Sequence, residues 1–268
     1  MISPEGFQRK RMLFKTQING LPVQAVFPED NIREIYVPLL HRLSVLQKKL
    51  NRRILVFLAA PPGSGKSTMA AFLRELSLKM PEISPVTVIG MDGFHRRQED
   101  LLVHTAVRDG KKIRLVEIKG APVTFDLARL KTALAEAASG KDCEWPVYDR
   151  LLHNPVYTGQ KVTGNIVLLE GNYLLLNEEG WRDLKHYADY TVRITAAPEM
   201  LRSRLVARKT ASGTPQDEAE KFVDFSDLRN AELCLTRSVR ADLELELLPD
   251  SSYKILRSAP SIEDKLRL

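Results

Sequence analysis

The stretch ILVFLAAPPGSGKSTMAAFL, residues 54–73, sets the reading of the whole chain. Its unbroken apolar run, ILVFLAA, describes a strand buried on both faces. A turn with two glycines follows, and then a helical stretch. The turn carries Ala60, Gly65, Lys66 and Ser67 at the spacing of a phosphate-binding loop. Strand, glycine turn and helix are the context that pattern needs, because N–H groups of the turn and of the helix N-terminus then converge on an anion. Pro62, Gly63, Ser64, Gly65, Lys66, Ser67 and Thr68 are therefore expected to cradle the phosphates of ATP. Lys66 would bridge the β- and γ-phosphates, and Ser67 would reach Mg²⁺. Ala60 stands where the pattern usually has its first glycine, a methyl group that relaxed versions tolerate.

Outward from this stretch the pattern repeats. VTVIGM, NIVLLEG, ADYTVRIT and DLELELL are further short apolar runs, and helical stretches such as TMAAFLRELSLKM and DLARLKTALAEAAS separate most of the runs. Such alternation predicts an α/β fold, a three-layer sandwich around a mostly parallel, doubly wound sheet. Residues 1–50 precede it as an appendage. MLFKTQINGLPVQAVF has two strand-like runs around Asn19-Gly20, a tight-hairpin dipeptide. Ile32, Ile35, Leu39, Leu43, Leu46 and Leu50 then form a helical stripe that Pro38 either interrupts or starts. The appendage could pack on the core, make a homodimer contact or cover the site. ASGTPQDEAEKF is the clearest candidate for a mobile loop leading into a helix.

Bulk properties narrow the function. The chain has 268 residues, and 40 Lys+Arg against 34 Asp+Glu give a net charge of +6 spread thinly along it. That suits an enzyme with anionic substrates and gives no support to a nucleic-acid partner. The two cysteines, Cys143 and Cys234, have no metal-ligand spacing and predict structural thiols in a reducing compartment. No signal-peptide pattern opens the chain, and its apolar runs are too short to span a bilayer, so the expectation is a cytoplasmic protein with no membrane partner.

Phosphate loops serve motors, GTPases, transporter ATPases and kinases, and the chain has neither Asn-Lys-x-Asp nor Leu-Ser-Gly-Gly-Gln. Asp92 falls just past VTVIGM, at the carboxyl edge of the expected sheet where open α/β folds place ligands. It could accept the proton of an incoming hydroxyl, or be a turn residue or helix cap. Glu170 ends the strand in NIVLLEG, as an acid that holds Mg²⁺ directly or through water would. Asp126 could stabilise a helix dipole in a first turn capped by Thr124. Arg204 and Arg208 share a helical face with the spacing of a solvated basic stripe.

PPGSGKST, MDGFHRR, KGAPVTFD, WPVYDRLLH and LLEGNY, in this order, resemble the uridine kinase, pantothenate kinase and phosphoribulokinase superfamily of P-loop kinases, closest to its nucleoside kinase or fructokinase-like bacterial branch. The resemblance covers about residues 53–248 and implies a kinase domain over 51–268. It implies Asp92 as the catalytic aspartate, with His95 lining the acceptor pocket. Phe125 and Asp126 match a pair that holds ribose in uridine kinases; Tyr148 and His153 match the Pro-x-Tyr-Asp-Phe-x-x-His stretch, where packed aromatics are the plainer reading. Arg150 replaces the base-stacking phenylalanine, which favours a more polar or anionic acceptor. Arg204 and Arg208 correspond to arginines of a lid, here about residues 198–230, that stabilise the transferred phosphoryl group; Lys209 stands where relatives often have histidine. The implied function is transfer of the γ-phosphate of ATP, with Mg²⁺, to a hydroxyl of a sugar, nucleoside or pantothenate-like small molecule. The alternative is an ATP-binding sensor without turnover.

Overall fold

The computed structural model describes residues 10–18, 21–149 and 152–259 of the chain. A hairpin, β1 (Arg11–Ile18) and β2 (Leu21–Pro28), leads into a continuous helical stretch: α1 (Glu29–Asn31), a π-helical turn (Ile32–Tyr36) and α2 (Val37–Leu50). Then come β3 (Ile54–Ala59), α3 (Lys66–Leu78), β4 (Val86–Gly90) and α4 (Gln98–Val103). A second hairpin, β5 (Thr105–Arg108) with β6 (Lys111–Arg114), precedes α5 (Leu127–Ala138). A third pairs β7 (Cys143–Asp149) with β8 (Asn154–Val162). The remainder supplies β9 (Ile166–Gly171), β10 (Tyr190–Ala196), α6 (Pro198–Ala211), α7 (Gln216–Phe222), α8 (Leu228–Arg237), β11 (Leu243–Leu247) and β12 (Tyr253–Ser258).

Six strands form one sheet in the order β12-β11-β10-β3-β9-β4. The five strands expected from apolar runs are β3, β4, β9, β10 and β11, and all five run parallel. β12 adds an antiparallel edge. Every residue of β3 and β9 is buried, as strands covered on both faces must be. Side chains alternate across the sheet. Ile54, Val56 and Leu58 pack into one core with α2, α3 and α6, and Leu55, Phe57 and Ala59 into another with α5, Tyr173 and Trp181. Those two cores make the three layers.

The N-terminal hairpin is bound to the first core by aromatic rings. Phe27 stacks on Phe72 of α3 at 3.9 Å and 14°, and Phe14 and Tyr36 meet Phe72 edge-on at 5.3 and 5.5 Å. Asn19 and Gly20, the expected turn, lie outside the described residues. Beyond the hairpin, Val37 N–H reaches back to Ile32 O, and this wider turn carries the helix past Pro38, which has no N–H to donate. Asn31 ties the appendage to the far edge of the sheet. Its side-chain amide donates to Tyr253 O at 2.9 Å and accepts from Tyr253 N–H at 2.6 Å, as a neighbouring strand would.

Phe72→Ala should therefore destabilise the protein by about 3–5 kcal/mol, read from urea denaturation. A loss no larger than that of an exposed substitution would contradict the role given to this ring cluster.

Candidate active site

The phosphate loop begins where β3 stops. Ala60 is buried and its N–H donates to Gly171 O at 3.2 Å, so the turn forms with a methyl group at this position. Gly63 and Gly65 both hold φ of +82°, a conformation that disfavours any side chain. At Gly63 a Cβ would also lie 3.1 Å from Leu205 Cγ and 3.3 Å from Leu201 O of α6. Gly65 is the N-cap of α3 and has no side chain to satisfy the first-turn N–H groups, which stay available to an anion. The loop is braced from β12: Tyr253 Oη donates to Ser64 O at 3.2 Å. Burial pushes the Tyr253 phenol up to about 12, so it remains a donor.

On one side of the loop lies a cavity of about 210 Å³ that Ser67, Asp92, Tyr148, Gln160 and Glu170 share. Glu170 is buried near the carboxyl end of β9, level with Leu58 of β3 and Gly90 of β4. Ser67 Oγ donates to Glu170 Oε1 at 2.8 Å. A hydroxyl and a carboxylate at this distance are hard oxygen donors. Among the described residues no group of three or more His, Cys, Asp or Glu could hold a metal. That donor set fits Mg²⁺, which takes one or two protein oxygens and completes its shell with phosphate and water.

Asp92 sits in the short 3₁₀ turn Met91–Phe94 that follows β4. The third hairpin packs hard against this turn. Trp145 Nε1 donates to Gly90 O at 2.8 Å and Gln160 Nε2 to Val88 O at 2.6 Å. A Cβ on Gly93 would fall 2.0 Å from Pro146 O, so glycine is required by the approach of the two backbones.

His95 closes the same turn. Its Nδ1 lies 2.8 Å from Asp92 O, and its ring is 4.0 Å from Phe125 and 5.2 Å from Tyr148. Phe125 is buried with its edge on Tyr173 and Trp181. Asp126 is the N-cap of α5, accepting from Arg129 N–H at 3.0 Å. Thr124 was expected there, but its buried hydroxyl turns back to Ala121 O at 2.7 Å, because the chain makes one more 3₁₀ turn before the helix starts. Asp126 also lines a cavity of about 320 Å³ with His95, Arg96, Arg97 and Arg129, where the Arg129 guanidinium stacks 3.5 Å over Tyr157. His153 stands apart from both cavities, exposed and with φ of +51°. Its carbonyl takes the Lys119 ammonium at 3.1 Å. Arg150 lies outside the described residues.

Lys66 opens α3, half-buried. The arginines of α6 divide. Arg204 donates to Ser251 Oγ at 2.7 Å and stands beside Gly65, whereas Arg208 is exposed. Arg202 is held in a fork by Asp224 at 2.7 and 2.9 Å. Lys209 lies 3.6 Å over the Phe222 ring and 3.9 Å from Asp227, and burial lowers its pKa. Sequence reading missed Tyr253, Gln160, Arg129 and Tyr157. The first two reach the site from strands on opposite edges of the fold, and no local pattern marks them. The β8 run did carry a signal, since Val156 and Tyr157 precede Gly159 in a stretch that pairs back onto WPVYD.

No protein-family model matches the chain. It is 39% identical over 243 residues to "Uncharacterized protein YggC" of Escherichia coli K12, covering 90% of this chain and 98% of that protein. It is 30% identical over 215 residues to "Putative uridine kinase C227.14" of Schizosaccharomyces pombe, covering 78% and 89%. A crystal structure from Silicibacter sp. TM1040, described as a "putative fructose transport system kinase", superposes with a TM-score of 0.64 at 30% identity, covering 75% of this chain and 98% of that one. The chain belongs to the P-loop kinase superfamily of uridine kinases, pantothenate kinases and phosphoribulokinases. Its relatives there are kinases of small molecules.

Gly93→Ala should lower stability by roughly 1–3 kcal/mol, because the Asp92 turn and the third hairpin must part. An unchanged urea midpoint would show that the hairpin yields freely and does not set the position of Asp92.

Proposed function

We propose that this protein is an ATP-dependent kinase that moves the γ-phosphoryl group of ATP onto a hydroxyl of a small polar metabolite, a sugar or a nucleoside-like compound. One observation carries the reading: Asp92 shares a small cavity with the Ser67–Glu170 pair at the mouth of the phosphate loop. An acceptor in that cavity would have its hydroxyl between a carboxylate and the terminal phosphate.

In the proposed reaction Asp92 takes the hydroxyl proton as the acceptor oxygen bonds to the γ-phosphorus. The bond from that phosphorus to the β,γ-bridging oxygen breaks, and ADP leaves. Backbone N–H groups of the loop and the Lys66 ammonium stabilise the charge that gathers on the phosphate oxygens. Ser67 and Glu170 would hold Mg²⁺, which neutralises the phosphates when bound. The third hairpin keeps the Asp92 turn in place, and such positioning is a large part of phosphoryl-transfer catalysis.

The choice of acceptor rests on the cavity and on the relatives. Tyr148 and Gln160 give it polar walls suited to a hydroxylated molecule. The names of the relatives point to uridine, to pantothenate and to a fructose system. Arg150, standing where uridine kinases have a stacking phenylalanine, tips the balance to a sugar or polyol.

Asp92→Asn should lower kcat by about 10²- to 10⁴-fold and leave ATP affinity within a few-fold. The assay is Mg²⁺-dependent ATP consumption across sugars, polyols, nucleosides and pantothenate. An acceptor turned over equally well by the folded variant would remove Asp92 from the chemistry. ATP binding with no acceptor above the Asp92→Asn blank would favour a sensor instead.

A further inference from the structure

The phosphate loop has a second side. There, a cavity of about 600 Å³ is bounded by Gly65, Thr68, Arg204 and Tyr253 and, opposite them, by residues 23–27 of β2. A triphosphate whose γ end lies beside Asp92 and Ser67 must leave the loop over Gly65 and Thr68. Its nucleoside then enters this cavity. The far wall is the N-terminal hairpin, which precedes the phosphate loop and the other motifs shared with the superfamily.

Consecutive residues of a strand point to alternate faces, so five in a row can line one cavity only along the strand's edge. That edge is open, because β2 pairs with β1 alone among the described strands. In an antiparallel pair, every second residue turns both its N–H and its C=O to the partner, and the residues between turn theirs outward. The parity here is set by two observations. Glu29 N–H donates to Lys10 O at 2.9 Å, in a register that runs unshifted through Arg11↔Pro28 to Ile18↔Leu21, so odd-numbered residues of β2 face β1. Pro22 and Pro28, which have no N–H to offer a partner, both fall on the other parity. The outward groups are therefore those of Gln24 and Val26.

We propose that this outward edge of β2 reads the base of the bound nucleotide, with the N–H and C=O groups of Gln24 and Val26 pairing with the donor and acceptor on the rim of the base. The proposal rests on the kinase reading above and extends it to the nucleotide's other end. An open edge can also recruit another strand, but Pro22 and Pro28 bracket this one and leave no continuous row of donors. Two donors between prolines suit a small flat ligand better than an extended chain. The hairpin also places Gln17 and Ile18 at the Asp92 cavity, so it spans the nucleotide site from base to acceptor. Arg11 approaches Asp250 at 4.0 Å, joining the hairpin to the loop between β11 and β12 at the rim.

Gln24→Pro and Val26→Pro each delete one outward N–H and leave the β1 ladder intact, as Pro22 and Pro28 already do. Titration calorimetry on the full chain, with Mg·ATP and with inorganic tripolyphosphate, separates base from phosphate recognition. Each variant should bind ATP about five- to tenfold more weakly, the worth of one hydrogen bond, and tripolyphosphate as the wild type does. ATP affinity unchanged in both variants, or a parallel loss for tripolyphosphate, would overturn the proposal and leave the phosphate-loop reading standing. Lys66→Ala should weaken both ligands; if it weakens neither, or if the wild type binds neither, the phosphate-loop reading fails and this proposal with it. Should the proline variants not fold, amide hydrogen exchange on the wild type decides. ATP should protect the Gln24 and Val26 amides and tripolyphosphate should not, and equal exchange with both ligands overturns the proposal.

Discussion

A loop that binds phosphate through its backbone must keep its N–H groups from pairing with the rest of the protein while holding them still. That constraint governs this structure. Gly63 and Gly65 supply the left-handed conformations the turn requires, and Gly65 caps α3 without a side chain that would occupy its donors. Rigidity then has to come from outside the loop. It comes from Leu201 and Leu205 of α6 beneath Gly63 and from the Tyr253 hydroxyl on Ser64 O. Tyr253 is itself fixed by Asn31, 222 residues away in sequence, so the start and the end of the fold meet at the loop. Removing the Asn31 amide would leave two buried backbone groups of Tyr253 without partners, which is costly in a low-dielectric core.

The same logic gives the N-terminal hairpin its place. It is stacked on Phe72 of α3, the helix that the glycine loop opens. Rings of this size dominate the packing they join. The hairpin thus belongs to the core that supports the loop, and its open edge stands over the cavity on the nucleoside side. A site assembled from β2, α3, α6 and the β11–β12 loop on one side, and from β4, β7, β8 and β9 on the other, can orient both ends of one ligand.

Much of this was legible in the sequence, for identifiable physical reasons. Strands buried on both faces are uniformly apolar, so the five parallel strands stood out, and their carboxyl ends drew attention to Asp92 and Glu170. Glycine at two obligatory positive-φ positions made the loop equally plain. Elements with one wet face were harder. β12 has Tyr253 buried and its other residues exposed, and β5 and β6 alternate too weakly to read as strands. The turn between β5 and β6 did carry a signal, since Asp109 and Gly110 hold φ of +52° and +73°, the conformation an Asp-Gly dipeptide favours. Asp126 combined two readings, as a helix cap at a cavity wall. Contacts such as Asn31 with Tyr253, or Arg129 over Tyr157, depend on tertiary packing and leave no local trace.

The central claim is that one triphosphate lies across the loop, with its base at β2 and its γ-phosphate at Asp92. The direct measurement is a crystal structure with Mg²⁺ and a non-hydrolysable ATP analogue. It should show the γ-phosphate in the cavity with Ser67, Asp92 and Glu170, and the base within hydrogen-bonding distance of Gln24 or Val26. A nucleotide lying the other way, or a base that leaves the β2 edge to solvent, would contradict the account.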